Sequence, residues 1–262
     1  MMNSLKTKNS HPRDDRIVFD EEPHVYYVDG DPVNLSVTGL VHNYFPKFDA
    51  DMIIPRMMKS KNWPNSKYHG MTADEIKKQW SDAGTDAATK GTRMHKSIEM
   101  FYNDANVDEY EEGVEFKMFR QFYEAHKDCV SAYRTEWEVY DEEHKIAGSI
   151  DMVFENNSDG TLSIYDWKRS KEIKLRNSYG SRGFDHLKEY QDCNYVQYSL
   201  QLNMYKYILE TKYGKTIRDL YLVVIHPLFD KYLKYECLDL QDVVKKIFKD
   251  RLECINRTRK IT

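Results

Sequence analysis

No two of the four cysteines stand close together: Cys129, Cys193, Cys237 and Cys254 form no Cys-x-x-Cys pair. That spacing excludes a zinc knuckle or a ferredoxin-like site and leaves no dense disulfide framework. Free thiols in a reducing cell interior are expected. Long apolar runs are missing as well: none approaches the ~20 residues of a membrane span, and no signal-like segment opens the chain. The expectation is a soluble, intracellular protein without membrane contact. Excess positive charge is also lacking, with 39 Lys and Arg against 43 Asp and Glu and a formal net charge of -4. Nothing global therefore advertises nucleic acid, although a local patch binds phosphates within an acidic whole. With 11 glycines and 7 prolines in 262 residues, no Pro/Gly-rich linker is long enough to cut the chain in two.

What is present is an ordinary globular composition, 40% apolar and 31% charged, rich in tyrosine (20) and phenylalanine (11). The first fifteen residues, "MMNSLKTKNSHPRDD", are polar and aperiodic and are expected to be disordered. Residues 16–262 then read as a single domain: a hairpin and helical region over 16–84, and a core from about 85 onward. In the hairpin, "HVYYV" and "VNLSV" are strand-like and "DGDP" turns between them. Pro46, Pro55 and Pro64 punctuate short helices up to about residue 80. "TDAATKGTRMHKSIEMFYNDA" is a stronger helix with Met94, Ile98 and Phe101 as its stripe, and residues 113–128 make another. The pattern then switches to period two in "YRTEWEVYDEE", "KIAGSIDMVFE" and "LSIYDWKRS", the last two joined by the turn "NNSDG". After a basic linker come the helix "YVQYSLQLNMYKYILETKYG", closed by Gly214, the strands "DLYLVVIHP" and "YLKYECLDL", and the helix "QDVVKKIFKDRLECINR". These elements predict an α/β (α+β) class with a central mixed sheet flanked by helices.

Two strand positions carry charge where burial is expected. Asp166 and Lys168, two apart, share a strand face with Leu162 and Ile164 while Trp167 points the other way. Asp151, one strand upstream, can lie beside Asp166 across the hairpin. Two carboxylates in a low-dielectric site repel unless a cation separates them, and hard oxygen ligands suit Mg²⁺ or Mn²⁺. A lysine beside them can orient water or stabilise a phosphoryl transition state. His95 and Glu99, spaced i and i+4, share one helix face, and Gly91 on that face is read as allowing close approach to the sheet. On the later helix, Gln197, Gln201 and Tyr205 form a row beside the apolar stripe Val196, Leu200, Met204 and Ile208. Either Glu136 or Glu138, on the strand before "GSID", can face a metal.

"AGSIDMVFENNSDGTLSIYDWKRS" resembles the core of the PD-(D/E)XK nuclease superfamily, and within it the RecB-like branch that includes mitochondrial genome maintenance exonucleases and viral or phage relatives. "GTRMHKSIE" is similar to that branch's upstream Gly-Thr-x-x-His-x-x-x-Glu helix and "QLNMY" to its downstream Gln-x-x-x-Tyr helix. His24, Tyr26 and "SVT" (Ser36 to Thr38) also fit. The resemblance spans roughly residues 24–262. It implies a restriction-endonuclease-like core and a Mg²⁺- or Mn²⁺-dependent deoxyribonuclease acting in replication, repair or recombination. Asp151, Asp166 and Lys168 would be catalytic, and His95, Asp151, Asp166 and the Trp167 backbone carbonyl would hold the metal. Glu99 would orient His95 or bind a second metal, and Glu136 is favoured over Glu138 for a similar place. Gln201 and Tyr205 would hold the DNA strand.

Further phosphate contacts are expected from Arg169, Lys171 and Arg182 in the basic linker and from the hydroxyls of Ser36 and Thr38. Trp63, Trp80, Tyr68 and Tyr44 are candidate platforms for unpaired bases. No base-reading module is visible, so the expected partner is DNA met without sequence preference, as single strands or ends, by a monomer. The iron–sulfur cluster that some nucleases of this branch carry is not expected, because the cysteines lack the close spacing. An exonuclease is the favoured reading; a structure-specific endonuclease and a non-catalytic binding protein on a nuclease fold are the alternatives.

Overall fold

The computed structural model describes residues 4–259. The chain opens with helix α1 (Ser4–Lys8), followed by the strands β1 (Ile17–Asp20), β2 (Val25–Val28) and β3 (Asp31–Val33). These three strands form a small antiparallel sheet. Helices α2 (Val37–His42), α3 (Ala50–Met58), α4 (Ala73–Tyr102) and α5 (Val114–His126) come next. The main sheet takes β4 (Val130–Asp141), β5 (Ile146–Asn156), β6 (Leu162–Lys168), β7 (Ile217–Val224) and β8 (Leu233–Glu236) in that spatial order. Helix α6 (Asn194–Lys212) links β6 to β7, which pair in parallel, and α7 (Gln241–Arg259) follows β8. The result is the expected mixed α+β arrangement, a five-stranded mixed sheet flanked by helices.

Two apolar layers cover the sheet. Phe116, Phe119 and Phe122 of α5 and Met94 and Ile98 of α4 pack on Phe154, Tyr165, Trp167 and Val223. Residues of α2, α6 and α7 pack with Val153, Ile164, Leu222 and Trp137. The central strands are therefore buried on both faces, which is why β5 and β6 read as nearly continuous apolar runs.

Three expectations need correction. The N-terminal stretch is not disordered where it is described: Leu5 of α1 and Asp14 are buried, at 7% and 6% exposure. Their partners lie about a hundred residues away, so no local periodicity marks them. The expected strand "VNLSV" contributes only Val33 to β3, because Ser36 caps α2 instead. The expected break near residue 80 is absent. Helix α4 runs 30 residues from a capping box in which Thr72 and Glu75 satisfy each other's backbone N–H. Its residues 81–90 are exposed all round, so no apolar stripe could announce them.

Candidate metal centre

Strands β5 and β6 pair from Glu155↔Leu162 to Met152↔Tyr165 and then part. One further step of that register sets Asp151 opposite Asp166. At this point the Trp167 backbone N–H donates to Asp151 Oδ2 at 3.0 Å, so a side chain takes over from a strand carbonyl. On the other side, Thr135↔Met152 and Trp137↔Ile150 set Glu136 opposite Asp151. Three carboxylates thus occupy successive positions across β4, β5 and β6.

His95 enters this split from α4. Its Nε2 lies 2.8 Å from the Trp167 carbonyl oxygen, which accepts only if that nitrogen carries the proton. Nδ1 is then an unprotonated donor atom, 3.6 Å from Asp151 Oδ2 and 4.0 Å from Glu136 Oε1. One ligand atom from each of His95, Glu136 and Asp151 lies within 4.8 Å of the others. Glu136 itself stands in the left-handed region, with φ 42°, and its Oε2 accepts from Ser149 Oγ at 3.1 Å. Burial, with Asp151 repulsion second, pushes the Glu136 carboxyl up to about 7. Crowded carboxylates that resist ionising together, joined by one imidazole nitrogen, fit a divalent ion of the Mg²⁺ or Mn²⁺ kind.

Asp166 and Lys168 form a separate pair beside this set. Lys168 Nζ is 2.7 Å from Asp166 Oδ2. That oxygen is buried and no well-directed hydrogen bond reaches it. Burial raises the Asp166 carboxyl to about 6 even with the ammonium alongside. Burial also works against charge on Lys168, but Asp166 and Asp151 outweigh it and hold its pKa above the ordinary lysine value. The Tyr198 ring lies 4.6 Å from the same ammonium.

The grouping of these side chains therefore differs from expectation. The Trp167 carbonyl accepts from His95, and Asp166 pairs with Lys168 outside the cluster that His95, Asp151 and Glu136 form. Sequence spacing showed that Asp151 could meet Asp166, but the backbone turn that brings in Glu136 leaves no mark in it. Of the two glutamates left open, Glu136 is the one at the site. Glu99 does not orient His95: it accepts from Lys96 Nζ at 2.9 Å, while the Trp167 carbonyl holds the ring.

Two cavities meet at the centre and share His24, Tyr26 and Ser149. The larger, about 870 Å³, lies between the N-terminal sheet and α4 and reaches His95, Glu99, Glu136 and Glu138. The smaller, about 410 Å³, reaches Asp151 and brings Ser36, Thr38, His42, Gln201 and Tyr205 together. Gln201 Nε2 donates to Thr38 Oγ1 at 3.4 Å, and Ser36 Oγ accepts from the Gly39 N–H at 3.0 Å as the α2 cap. Close approach occurs at Gly148, where a Cβ would stand 2.6 Å from Tyr205 Oη. At Gly91, expected to serve that purpose, a Cβ would meet nothing within 4 Å.

The basic linker is only partly available for phosphates. Arg169 Nε is committed to Glu115 at 2.8 Å, and Arg182 Nη1 donates to the Glu189 carbonyl at 2.8 Å. Lys171 is exposed. Among the proposed base platforms, Trp80 Nε1 donates to Tyr68 Oη at 2.8 Å and packs near Phe48, while Tyr44 packs on the core. Sequence reasoning passed over Ser149, Tyr198 and Asp14. Tyr198 alone left a signal, one helical turn before Gln201.

No helix among the described residues is long and apolar enough to cross a membrane. No family model matches the chain, and no curated protein matches it. Among solved structures it is similar to one described as "Crystal structure of SSO0001", with 13% identity, 85% of this chain and 76% of that chain covered, and a TM-score of 0.32.

Proposed function

We propose that this protein is a Mg²⁺- or Mn²⁺-dependent deoxyribonuclease with a restriction-endonuclease-like core, working as an exonuclease on DNA ends or single strands. One observation carries the reading: Glu136, Asp151 and Asp166 fall side by side where β5 and β6 part, with His95 Nδ1 3.6 Å from Asp151 and the Lys168 ammonium 2.7 Å from Asp166. His95, Glu136 and Asp151 would hold the metal, with Asp166 alongside. A divalent ion bound there would supply a lowered water pKa and neutralise charge on a phosphoryl oxygen. Lys168, kept charged by its carboxylate neighbours, aligns the attacking water and stabilises the crowded phosphate as the P–O bond breaks. Gln201 and Tyr205 present an amide and a phenol to the strand from the smaller cavity, beside Thr38.

End-labelled linear DNA, single- and double-stranded, incubated with Mn²⁺, Mg²⁺ or EDTA, tests this directly. Degradation with either ion and none with EDTA is expected. Lys168→Ala and Asp166→Ala should each lower the cleavage rate at least 100-fold, in keeping with the loss of a charged transition-state contact, while DNA binding is retained. Full activity in either purified variant sinks the assignment. Circular single-stranded DNA left uncut beside degraded linear DNA marks an exonuclease.

A further inference from the structure

We infer that the N-terminal segment is a strap holding Glu136 in its metal-facing conformation, with Asp14 as the positioning residue at its centre. The inference rests on the metal-centre reading above.

A non-glycine residue at φ 42° is strained and persists only where its surroundings over-determine it. The residues around Glu136 are held in this way. The Asp14 carboxylate accepts from Arg134 Nη1 at 2.7 Å and from Trp137 Nε1 at 3.0 Å, gripping the strand two residues before and one residue after Glu136. Its second bond to Oδ2, from the His11 N–H at 2.9 Å, ties the carboxylate to its own turn. Arg134 Nη1 also donates to the Asn9 carbonyl at 3.1 Å, and Asn9 Nδ2 donates to the Tyr133 carbonyl at 2.8 Å.

The strap reaches the His95 helix too. Asn103, the C-cap of α4, donates to Thr135 Oγ1 at 2.8 Å and accepts from the Leu5 N–H at 3.2 Å. Residues 133, 134, 135 and 137 are thus all tied to the strap or to Asn103, while Glu136 points into the cavity. Asp14, Asn103, Arg134, Thr135 and Trp137 are all at most 7% exposed. A buried charged pair is seldom the most stabilising solution for a core; fixing one conformation is its better-attested use. Here the conformation fixed is that of a ligand in the site.

Mn²⁺ binding, measured by titration calorimetry and by the loss of the free-ion resonance, tests the strap without relying on cleavage. Asp14→Asn is expected to weaken Mn²⁺ binding about tenfold or more, the usual effect of removing a group that supports a ligand. Asn203→Ala, in α6 where that side chain bonds Leu240 and Gln241 at the start of α7, serves as a destabilised control and should bind Mn²⁺ as the parent does. In a Glu136→Gln background, Asp14→Asn should change the affinity less than about twofold, because the two act through one side chain. Trp137→Phe removes one of the two bonds that β4 makes to Asp14 and should give a smaller loss, which keeps the test available if Asp14→Asn does not fold.

Unchanged Mn²⁺ affinity in the folded Asp14→Asn or Trp137→Phe protein overturns the strap. So does an equal loss in the control, or a full tenfold loss that survives in the Glu136→Gln background. A parent protein that binds no Mn²⁺ overturns the metal-centre reading itself, and the strap with it.

Discussion

Close packing around single residues decides how tightly the site is built. Gly148 is the clearest case, because a Cβ there would stand 2.6 Å from Tyr205 Oη and 2.9 Å from Cε1. Gly148→Ala is expected to displace Tyr205, destabilise the fold by about 1–3 kcal/mol and lower cleavage. Tyr205→Leu in the same background should restore the stability but not the activity; chemical denaturation and the end-labelled assay separate the two. The glycine of "GSID" was visible from sequence only as part of a motif. Its physical reason, a tyrosine ring 57 positions later, is tertiary. Glu136 shows the same limit. Its candidacy was legible and slightly favoured, yet Glu138 two residues on stayed a close alternative until the register placed Glu136 opposite Asp151. Asp166 and Lys168 were legible as a pair, and they remain one, 2.7 Å apart.

Elements are held together by polar side chains that apolar patterning does not reveal. Asn203, fully buried in α6, donates to the Ser199 and Leu238 carbonyls and accepts from the Leu240 N–H and from Gln241. It joins α6 to the turn between β8 and α7. Asn203→Ala leaves buried backbone groups at that turn unsatisfied and should cost about 2 kcal/mol or more. Urea unfolding would measure it; a loss below about 0.5 kcal/mol would contradict the role given to this amide. The elements themselves follow the sequence well where a face is apolar. The strands from β4 to β8 and the helices α5, α6 and α7 lie where period-two and helical patterns place them. The pattern failed at α1 and in the middle of α4. A five-residue helix carries too little periodicity to read, and a stretch exposed on every side has no apolar stripe.

Over the whole molecule, two groups of buried or half-buried carboxyls pull stability in opposite directions with pH. Burial works against ionising Asp14 and Asp141, but Arg134 and His144, respectively, with backbone N–H bonds, hold both below 3.8, the ordinary aspartate value. Their stabilisation is present above 3.8 and is lost as pH falls through the lower folded values. Glu136 and Asp166 do the reverse. With ordinary values of 4.5 and 3.8 raised by burial to about 7 and about 6, they bind protons more tightly in the folded state. Stability is therefore lost as pH rises from their ordinary values through about 6 and about 7. In the metal-free protein Asp14→Asn should flatten the acid limb of the melting temperature and Glu136→Gln the limb that runs up to about 7. Mn²⁺ should raise the melting temperature most above pH 7, where no proton competes for Glu136. Scanning calorimetry across pH, with and without Mn²⁺, checks both limbs, and a metal effect independent of pH would contradict the proposed ligand set.

By itself the sequence determined the fold class, the order of the main-sheet strands along the chain and the candidacy of His95, Asp151, Asp166 and Lys168. Those features depend on local periodicity and on charges placed where burial is expected, and both are written in consecutive residues. Only the tertiary structure decided that Glu136 joins His95 and Asp151, that the Trp167 carbonyl holds the imidazole, and that a polar N-terminal segment folds onto β4. Each of these depends on register and on contacts between residues tens to more than a hundred positions apart. Such contacts form only when the whole sheet closes, and no pattern within a short window encodes them.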